Sequence, residues 1–227
     1  MFSLDERLSL CAEMVRDGVK IADIGTDHAY LPVWLAKEGR ISSAVAADVR
    51  LGPLENALRT INAYNAGEKV RTVLSDGLDM IPEKEADDII MAGMGGELIV
   101  KLIDRTPWLR DKSKHLILQP MTRADVLRRY LCENGFEISK EKACISCHKS
   151  YSVMLCIFDG KKRECTDEYA YIGCLGSDKS VEARRYAAVI LGKLEKKSRG
   201  FEEGTKEYKE IKALIHKLLE ITEEMSE

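Results

Sequence analysis

The chain predicts an α/β fold: a mostly parallel, doubly wound sheet that ends in an antiparallel strand hairpin with one reversed edge element, and is followed by a helical hairpin. Three observations predict it. Five short apolar runs alternate with segments of helical period, and each run ends at an acid, a glycine or Gln119-Pro120. Two later strand-like runs, 136–147 and 150–158, are separated by a short turn only. With no crossover helix between them they must pair antiparallel. Beyond Ser177 the composition turns helical and charged.

The elements follow in order. Residues 4–15 place Leu4, Leu8, Cys11, Ala12 and Val15 on one helical face, and Asp17-Gly18 stops the helix. Residues 20–25 read as a short buried strand. Residues 30–37 read as a helix with Pro32 in its first turn and Gly39 just past its end. A second strand covers 43–49. Pro53 starts a helix whose Leu54, Leu58 and Ile61 share a face with Ala57, and Asn65-Ala66-Gly67 ends it. A third strand, 70–74, leads into Ser75-Asp76-Gly77. A fourth, 86–91, leads into a loop at Gly93-Met94-Gly95-Gly96. Leu98, Ile99, Leu102 and Ile103 form the buried face of the next helix. The fifth strand, 115–118, ends at Gln119-Pro120, and a helix over 123–134 turns Val126, Leu127, Tyr130 and Leu131 inward.

The polar run Asp159-Gly160-Lys161-Lys162-Arg163 divides the chain into units 1–160 and 161–227. In the second unit one stripe is Ala183, Tyr186, Ala187, Ile190, Leu191 and Leu194. The other is Tyr208, Ile211, Leu214, Ile215, Leu218 and Ile221, with a glycine-containing turn at 196–205 between them. Two such helices should pack antiparallel as a short coiled coil. Solvated charges on both point to a hairpin that packs on itself, and so to a monomer. Strand–helix repeats closed by a strand hairpin are the order of a Rossmann-like, class I methyltransferase sheet more than that of a dinucleotide dehydrogenase.

Composition narrows the function classes. The net charge of −3 excludes a polycation, so any nucleic-acid binding needs a local basic patch. The N-terminus is charged and unlike a signal peptide, and no run approaches the length of a membrane span, which reads as a cytoplasmic chain with no membrane contact. The seven cysteines read as reduced and mostly buried, and no metal site is expected. Cys144-Ile145-Ser146-Cys147-His148 has the form of a haem attachment site, but it sits in a strand-like region and reads as chance placement.

The chemistry gathers in Ile21 to Pro32, I-A-D-I-G-T-D-H-A-Y-L-P. An apolar run that passes through an acid and a glycine into a helix is how a parallel sheet meets a nucleotide-type cofactor. Gly25 lets the backbone come close to a ligand. The other glycines of G-x-G-x-x-G are absent, because positions 27 and 30 are Asp and Tyr. Acid there suits a cofactor without phosphates, such as S-adenosylmethionine with its amino group and sulfonium cation. Asp23 is then expected near the amino group. Asp48, with Val49 after it, is expected on the ribose hydroxyls. Asp76 and the Gly77 amide are expected at the adenine edge, and Ala92 beside the cofactor. Each acid has an alternative as a strand-end or cap carboxylate. Three at successive strand ends favour the functional reading.

D-I-G-T-D-H-A-Y-L-P, A-D-V, S-D-G-L, M-A-G-M-G-G and L-I-L-Q-P in this order resemble the bacterial TrmK family over residues 4–158, and the C-terminal hairpin resembles that family's coiled-coil domain. The resemblance implies methylation of N1 of adenine 22 in tRNA with S-adenosylmethionine. Adenine N1 is a neutral nucleophile whose product is a cation, so alignment and charge compensation should do most of the work. Asp27 is the candidate for steadying that charge. His28 and Tyr30 position or stack on the base, with a structural role for His28 equally open. Gly93, Met94 and Gly95 are expected to let the backbone approach a flat base. Because N1 lies on the Watson–Crick edge, the adenine must be displaced to react.

Phosphate contacts need cations. Candidates are Arg7, Arg123, Arg128 and Arg129, and the C-terminal set Arg184, Arg185, Lys193, Lys196, Lys197 and Arg199. The alternative for the last set is a solvated helix face. Against the glutamates that follow, Glu202 to Glu227, the set reads as a one-sided patch. Other functions stay open: methylation of another RNA, a small molecule or a protein amine, a nicotinamide-dependent oxidoreductase, and a non-catalytic RNA-binding scaffold.

Overall fold

The computed structural model describes residues 2–225. Met1, Ser226 and Glu227 lie outside the described residues, and with them the outer ends of the two expected units and the last acid of the C-terminal set.

Seven strands form one sheet: β1 (Val19–Ile24), β2 (Ile41–Asp48), β3 (Val70–Leu74), β4 (Asp88–Gly95), β5 (His115–Thr122), β6 (Phe136–Ser146) and β7 (Lys149–Phe158). Their order is β3-β2-β1-β4-β5-β7-β6. The first five run parallel, and β7 is antiparallel to both β5 and β6. The helices are α1 (Glu6–Met14), α2 (Tyr30–Lys37), α3 (Leu51–Ala63), α4 (Gly96–Asp104), α5 (Ala124–Glu133), α6 (Asp167–Ile172), α7 (Val181–Ser198) and α8 (Lys206–Glu224).

Strand periodicity builds the two layers. Ile21, Ala44, Ile90 and Ile117 face α1, α2 and α3, while Ala22, Val45, Ile89 and Leu116 face α4 and α5. Successive strand residues point to opposite faces, so a sheet covered on both sides reads as continuous apolar runs. A third core joins α7 and α8 through Leu191, Leu194, Ile211, Leu214 and Leu218.

Three features differ from the sequence reading. The reversed strand, β7, is not at the edge but lies between β5 and β6. Its Val153, Met154 and Cys156 are fully buried, whereas β6 carries Glu137, Lys140 and Lys142 and bulges at Ser139. An apolar strand belongs inside a sheet, and a charged, bulged one suits its edge. The α6 helix and the 3-10 turn that follows it, Gly173–Ser177, have no clear period and were not anticipated.

The third difference concerns the glycine run, where β4 continues through Gly95 instead of opening into a loop. Its pairing with β5 becomes irregular there, Met94 opposite Pro120 and Gly95 opposite Thr122. A side chain on Gly96 would collide with the Arg123 carbonyl, and one on Gly95 would come within 3.3 Å of Thr122 Oγ1. Gly96 therefore serves the packing of β4 and α4 against the start of α5, and Gly95 sits close beside Thr122. Gly96→Ala is expected to cost about 1–3 kcal/mol, because backbone must move. Gly95→Ala should cost less, because only the Thr122 side chain must turn. Urea unfolding midpoints of the two variants check the order.

Arg128 is also corrected. Expected to contact RNA, it is fully buried and donates twice to one Glu141 oxygen, Nη2–Oε1 2.6 Å and Nε–Oε1 3.2 Å. It also donates to the carbonyls of Ala170 at 2.7 Å and Tyr171 at 3.0 Å, and to the Tyr186 hydroxyl at 3.2 Å. Burial alone would lower its pKa. The Glu141 carboxylate and the Tyr186 hydroxyl outweigh that and hold the guanidinium firmly charged. Arg128 thus ties α5 and β6 to α6 and α7.

Candidate active site

The direction of sheet growth reverses between β1 and β4. The connections leaving these strands part in opposite directions and open a crevice at their C-terminal ends. A cavity of about 360 Å³ lies there, lined by Arg7 and Leu8 of α1, Asp23, Gly25, the loop Thr26 to Ala29, Tyr30, Ala92 and Gly93.

The loop is shaped by few groups. Gly25 and Thr26 donate their amides to the Ala47 carbonyl at 2.8 and 3.0 Å, so the chain stays bound to β2 as it leaves β1. Gly25 has φ 75°, and a side chain there would lie 2.6 Å from Met94 Cε. The positive φ favours glycine, whereas the contact could be relieved by turning the methionine. Met94 thus packs behind the loop and does not line the cavity. Thr26 Oγ1 accepts the Ala29 amide at 3.1 Å, and Ala29 starts α2 from a left-handed conformation, φ 52°.

Asp23 is the electrostatic centre. Its carboxyl is buried, which pushes its pKa up to about 6, while a hydrogen bond from Thr26 and the positive charge of Arg7 pull the other way. Arg7 is engaged by Gln119 and Asp5 and forms no ion pair with Asp23, so this buried carboxylate is suited to a cationic ligand group.

Asp27, His28 and Tyr30 form one connected set. Asp27 Oδ2 lies 3.3 Å from His28 Nε2, and the His28 ring stacks on Tyr30 with centroids 5.0 Å apart and 11° between planes. Phe2, which sequence reasoning missed, packs on the other side at 5.2 Å from Tyr30 and 4.8 Å from Tyr64.

Gln119 was read only as a strand end, yet it organises the floor. Fully buried, its Oε1 accepts from the Gly93 amide and from Arg7 Nη1, both at 3.0 Å. Its Nε2 donates to the Pro120 carbonyl at 3.1 Å. The signal in the sequence was a polar residue ending an otherwise apolar strand. Gly93, φ 81°, is the one glycine of its run that opens onto the cavity. Arg7 is a half-buried wall residue, bonded to Gln119 and paired with Asp5, rather than an open phosphate contact.

Asp48, Val49, Asp76 and Gly77 follow along the β2 and β3 ends, outside the cavity lining. Asp48 is buried and accepts the Arg50 amide at 2.8 Å, and Val49 is exposed. The Asp48 carbonyl accepts from the Ser75 amide, which holds the two strand ends together. Asp76 is gripped by Arg105, Nη2–Oδ1 2.7 Å and Nη1–Oδ2 3.1 Å. That hydrogen-bonded fork lowers the Asp76 pKa. Gly77, φ 60°, leaves room for Arg105 and Leu102.

Of the proposed RNA contacts, Arg123 is half-exposed and paired with Glu97 at 2.8 Å and Asp125 at 3.4 Å. Arg129 is paired with Asp167. Lys196, Lys197 and Arg199 are exposed at the end of α7. Cys144 is buried in β6, while Cys147 and His148 form the hairpin turn. Among the described residues no group of three or more metal-binding side chains occurs, and no helix is long and apolar enough to cross a membrane.

A family model described as a methyltransferase domain matches residues 4–154. The tRNA (adenine(22)-N(1))-methyltransferase of Bacillus subtilis is 33% identical over 152 residues, 67% of this chain. The match spans 64% of that protein's length. The solved structure of the Bacillus subtilis m1A22 tRNA methyltransferase TrmK is 26% identical, with a TM-score of 0.81 and all of both chains covered. A Streptococcus pneumoniae protein solved in complex with S-adenosyl-L-methionine is 30% identical, with a TM-score of 0.81, covering 98% of this chain and 100% of that one.

Proposed function

Since the chain belongs to the methyltransferase-domain family, and within it to the TrmK family, we propose that it methylates N1 of adenine 22 in tRNA with S-adenosylmethionine. The observation that carries this is the buried Asp23 carboxylate at the β1–β4 crevice, in the same cavity as the Asp27–His28–Tyr30 set. One side of the cavity suits a cationic amino acid group and the other a flat base.

The residues present fit the cofactor. Asp23 would pair with its amino group, and Gly25, Ala92 and Gly93 would admit it against bare backbone. Asp48 and Val49 would meet the ribose, and Asp76 and Gly77 the adenine edge. The two Asp76 oxygens keep spare acceptor capacity beside Arg105. When bound, the cofactor supplies an electrophilic methyl on a sulfonium.

The chain's own part is to align and to compensate charge. Adenine N1 carries an in-plane lone pair, so no proton need be removed first. His28, stacked on Tyr30, and Tyr30, braced by the tilted ring of Phe2, offer a preformed aromatic step for the base. Asp27 lies in reach of the same step and stabilises the positive charge that develops on the ring. Its tie to His28 fixes where that charge sits.

Labelled methyl transfer to an unmodified tRNA transcript with adenine at position 22, beside one with guanine there, tests the reading. Label in the first alone is expected. Equal label in both would discard the site, and none in either would discard tRNA as substrate.

The tRNA lies across both units in this proposal, and the chain acts as a cytoplasmic monomer. Lys196, Lys197 and Arg199, at the end of a hairpin we read as a short coiled coil, contact phosphates. Neutralising all three is expected to raise KM for tRNA about tenfold or more and to lower the salt slope, with cofactor affinity unchanged. An unchanged KM would remove these residues from the interface.

A further inference from the structure

A second cavity, of about 550 Å³, lies outside the site described above, between the β5–α5 connection, the start of β7 and the outer face of α7. Nothing in the methyl transfer uses it. Three tyrosines line it: Tyr151, Tyr171 and Tyr186. Tyr186 is held from behind, since its hydroxyl accepts from Arg128 and the guanidinium lies 5.9 Å from its ring centroid. Tyr186 is buried and forms a fixed floor, while the half-buried Tyr151 and Tyr171 present ring area to the cavity.

Two more features point to a ligand. Ser150 Oγ lines the cavity, is shielded from solvent, and has no hydrogen-bond partner among the described residues. A buried hydroxyl without a partner is costly unless a ligand or water satisfies it. Lys193 and Lys197 stand on the α7 wall, and neither makes an ion pair among the described residues. The Arg123 and Asp125 charges on the opposite wall are paired with each other. The uncommitted charge is therefore positive.

Aromatic rings, an orphaned hydroxyl and free cations suit a nucleotide: a base against tyrosine, a polar base edge on Ser150, and a phosphate on the lysines. We infer that this groove binds a second, unstacked nucleotide of the RNA, apart from the one that reacts. The inference rests on the RNA reading above. The two cavities flank β4 and β5. Gly93 lines the first, Pro120 and Thr122 line the second, and Gln119 hydrogen-bonds to both Gly93 and Pro120. Gly93 and Pro120 sit at the ends of neighbouring strands, so the two cavities open from adjacent strand ends of the sheet. One strand of RNA can occupy both. Holding a nearby nucleotide out of its stack would help keep the target adenine exposed.

The first variant fills the groove without removing charge, and the second reverses one charge on its wall. Val189 lines it and is 37% exposed, so Val189→Trp is compatible with folding. Binding of fluorescently labelled tRNA by anisotropy, methyl transfer and S-adenosylmethionine affinity are measured on the full chain. Val189→Trp is expected to weaken tRNA binding about tenfold or more, the scale of one lost base stack, with cofactor affinity unchanged. Lys193→Glu is the second variant and should weaken binding with a smaller salt slope. Wild-type tRNA affinity in both variants, with methylation intact, overturns the groove and leaves the function standing. Failure of the wild-type chain to bind or methylate tRNA, with the cofactor still bound, overturns the RNA reading and the groove together.

Discussion

Arg128→Ala is expected to lower folding stability by about 3–5 kcal/mol, the usual cost of breaking a buried ion pair from one side. The residue has no contact with solvent, and neither has its partner Glu141. Alanine would leave the Glu141 carboxylate buried with the Cys174 amide at 3.0 Å as its remaining donor. It would also strip the Ala170 and Tyr171 carbonyls of a donor. Urea unfolding is the measurement, with Arg128→Met combined with Glu141→Leu as the partner experiment. The double variant should recover much of the loss, because two apolar groups of similar size remove the buried charge. A cost below about 1 kcal/mol for the single variant would mean that water reaches Glu141 and that the bonds from Arg128 to Ala170, Tyr171 and Tyr186 do not hold α6 and α7 in place.

Cofactor affinity is expected to depend on pH through Asp23. Burial raises its pKa to about 6. Only the ionised carboxylate attracts an ammonium group. Above pH 7 the dissociation constant should be flat, and below about pH 6 it should rise up to tenfold per unit. Asp23→Asn should bind weakly and show no such rise. Calorimetry in two buffers of different ionisation enthalpy gives a second readout, since binding near pH 6 must release a proton. The same shift sets a stability slope for the free protein. A carboxyl whose folded pKa exceeds its unfolded one stabilises below about pH 4, and that contribution is lost as pH rises through 6. The free chain therefore loses stability across this window, and bound cofactor should offset the loss. A cofactor affinity that is flat from pH 5 to 8 would remove Asp23 from the amino group.

The sequence carried the sheet well because strands covered on both faces are long apolar runs, and because Gly39 and Gly135 punctuate the helices. It carried the Ile21 to Pro32 motif because several residue choices there serve one loop. What it hid was pairing. Nothing local to Arg128 tells a phosphate contact from a partner of Glu141, 13 residues on. Asp76 gave no sign of Arg105, and Gln119 looked like a strand end. Gly95 and Gly96 suggested a loop because a missing side chain looks the same whether a ligand or a neighbouring backbone needs the space. The place of β7 inside the sheet was readable from its uncharged run after Lys149 beside the charged β6, a comparison between strands rather than a pattern within one.

Ala29 and Arg123 each start a helix from a left-handed conformation, φ 52° and 54°. Side chains disfavour that region by about 1–2 kcal/mol, and glycine does not. Ala29 lines one cavity and Arg123 the other. Ala29 also buries its methyl group in the core under α2, and Arg123 ties the start of α5 to Glu97 and Asp125. Glycine at either position would relieve the backbone and forfeit those contacts, so the two helix starts are compromises between local strain and packing at the rims of the two cavities.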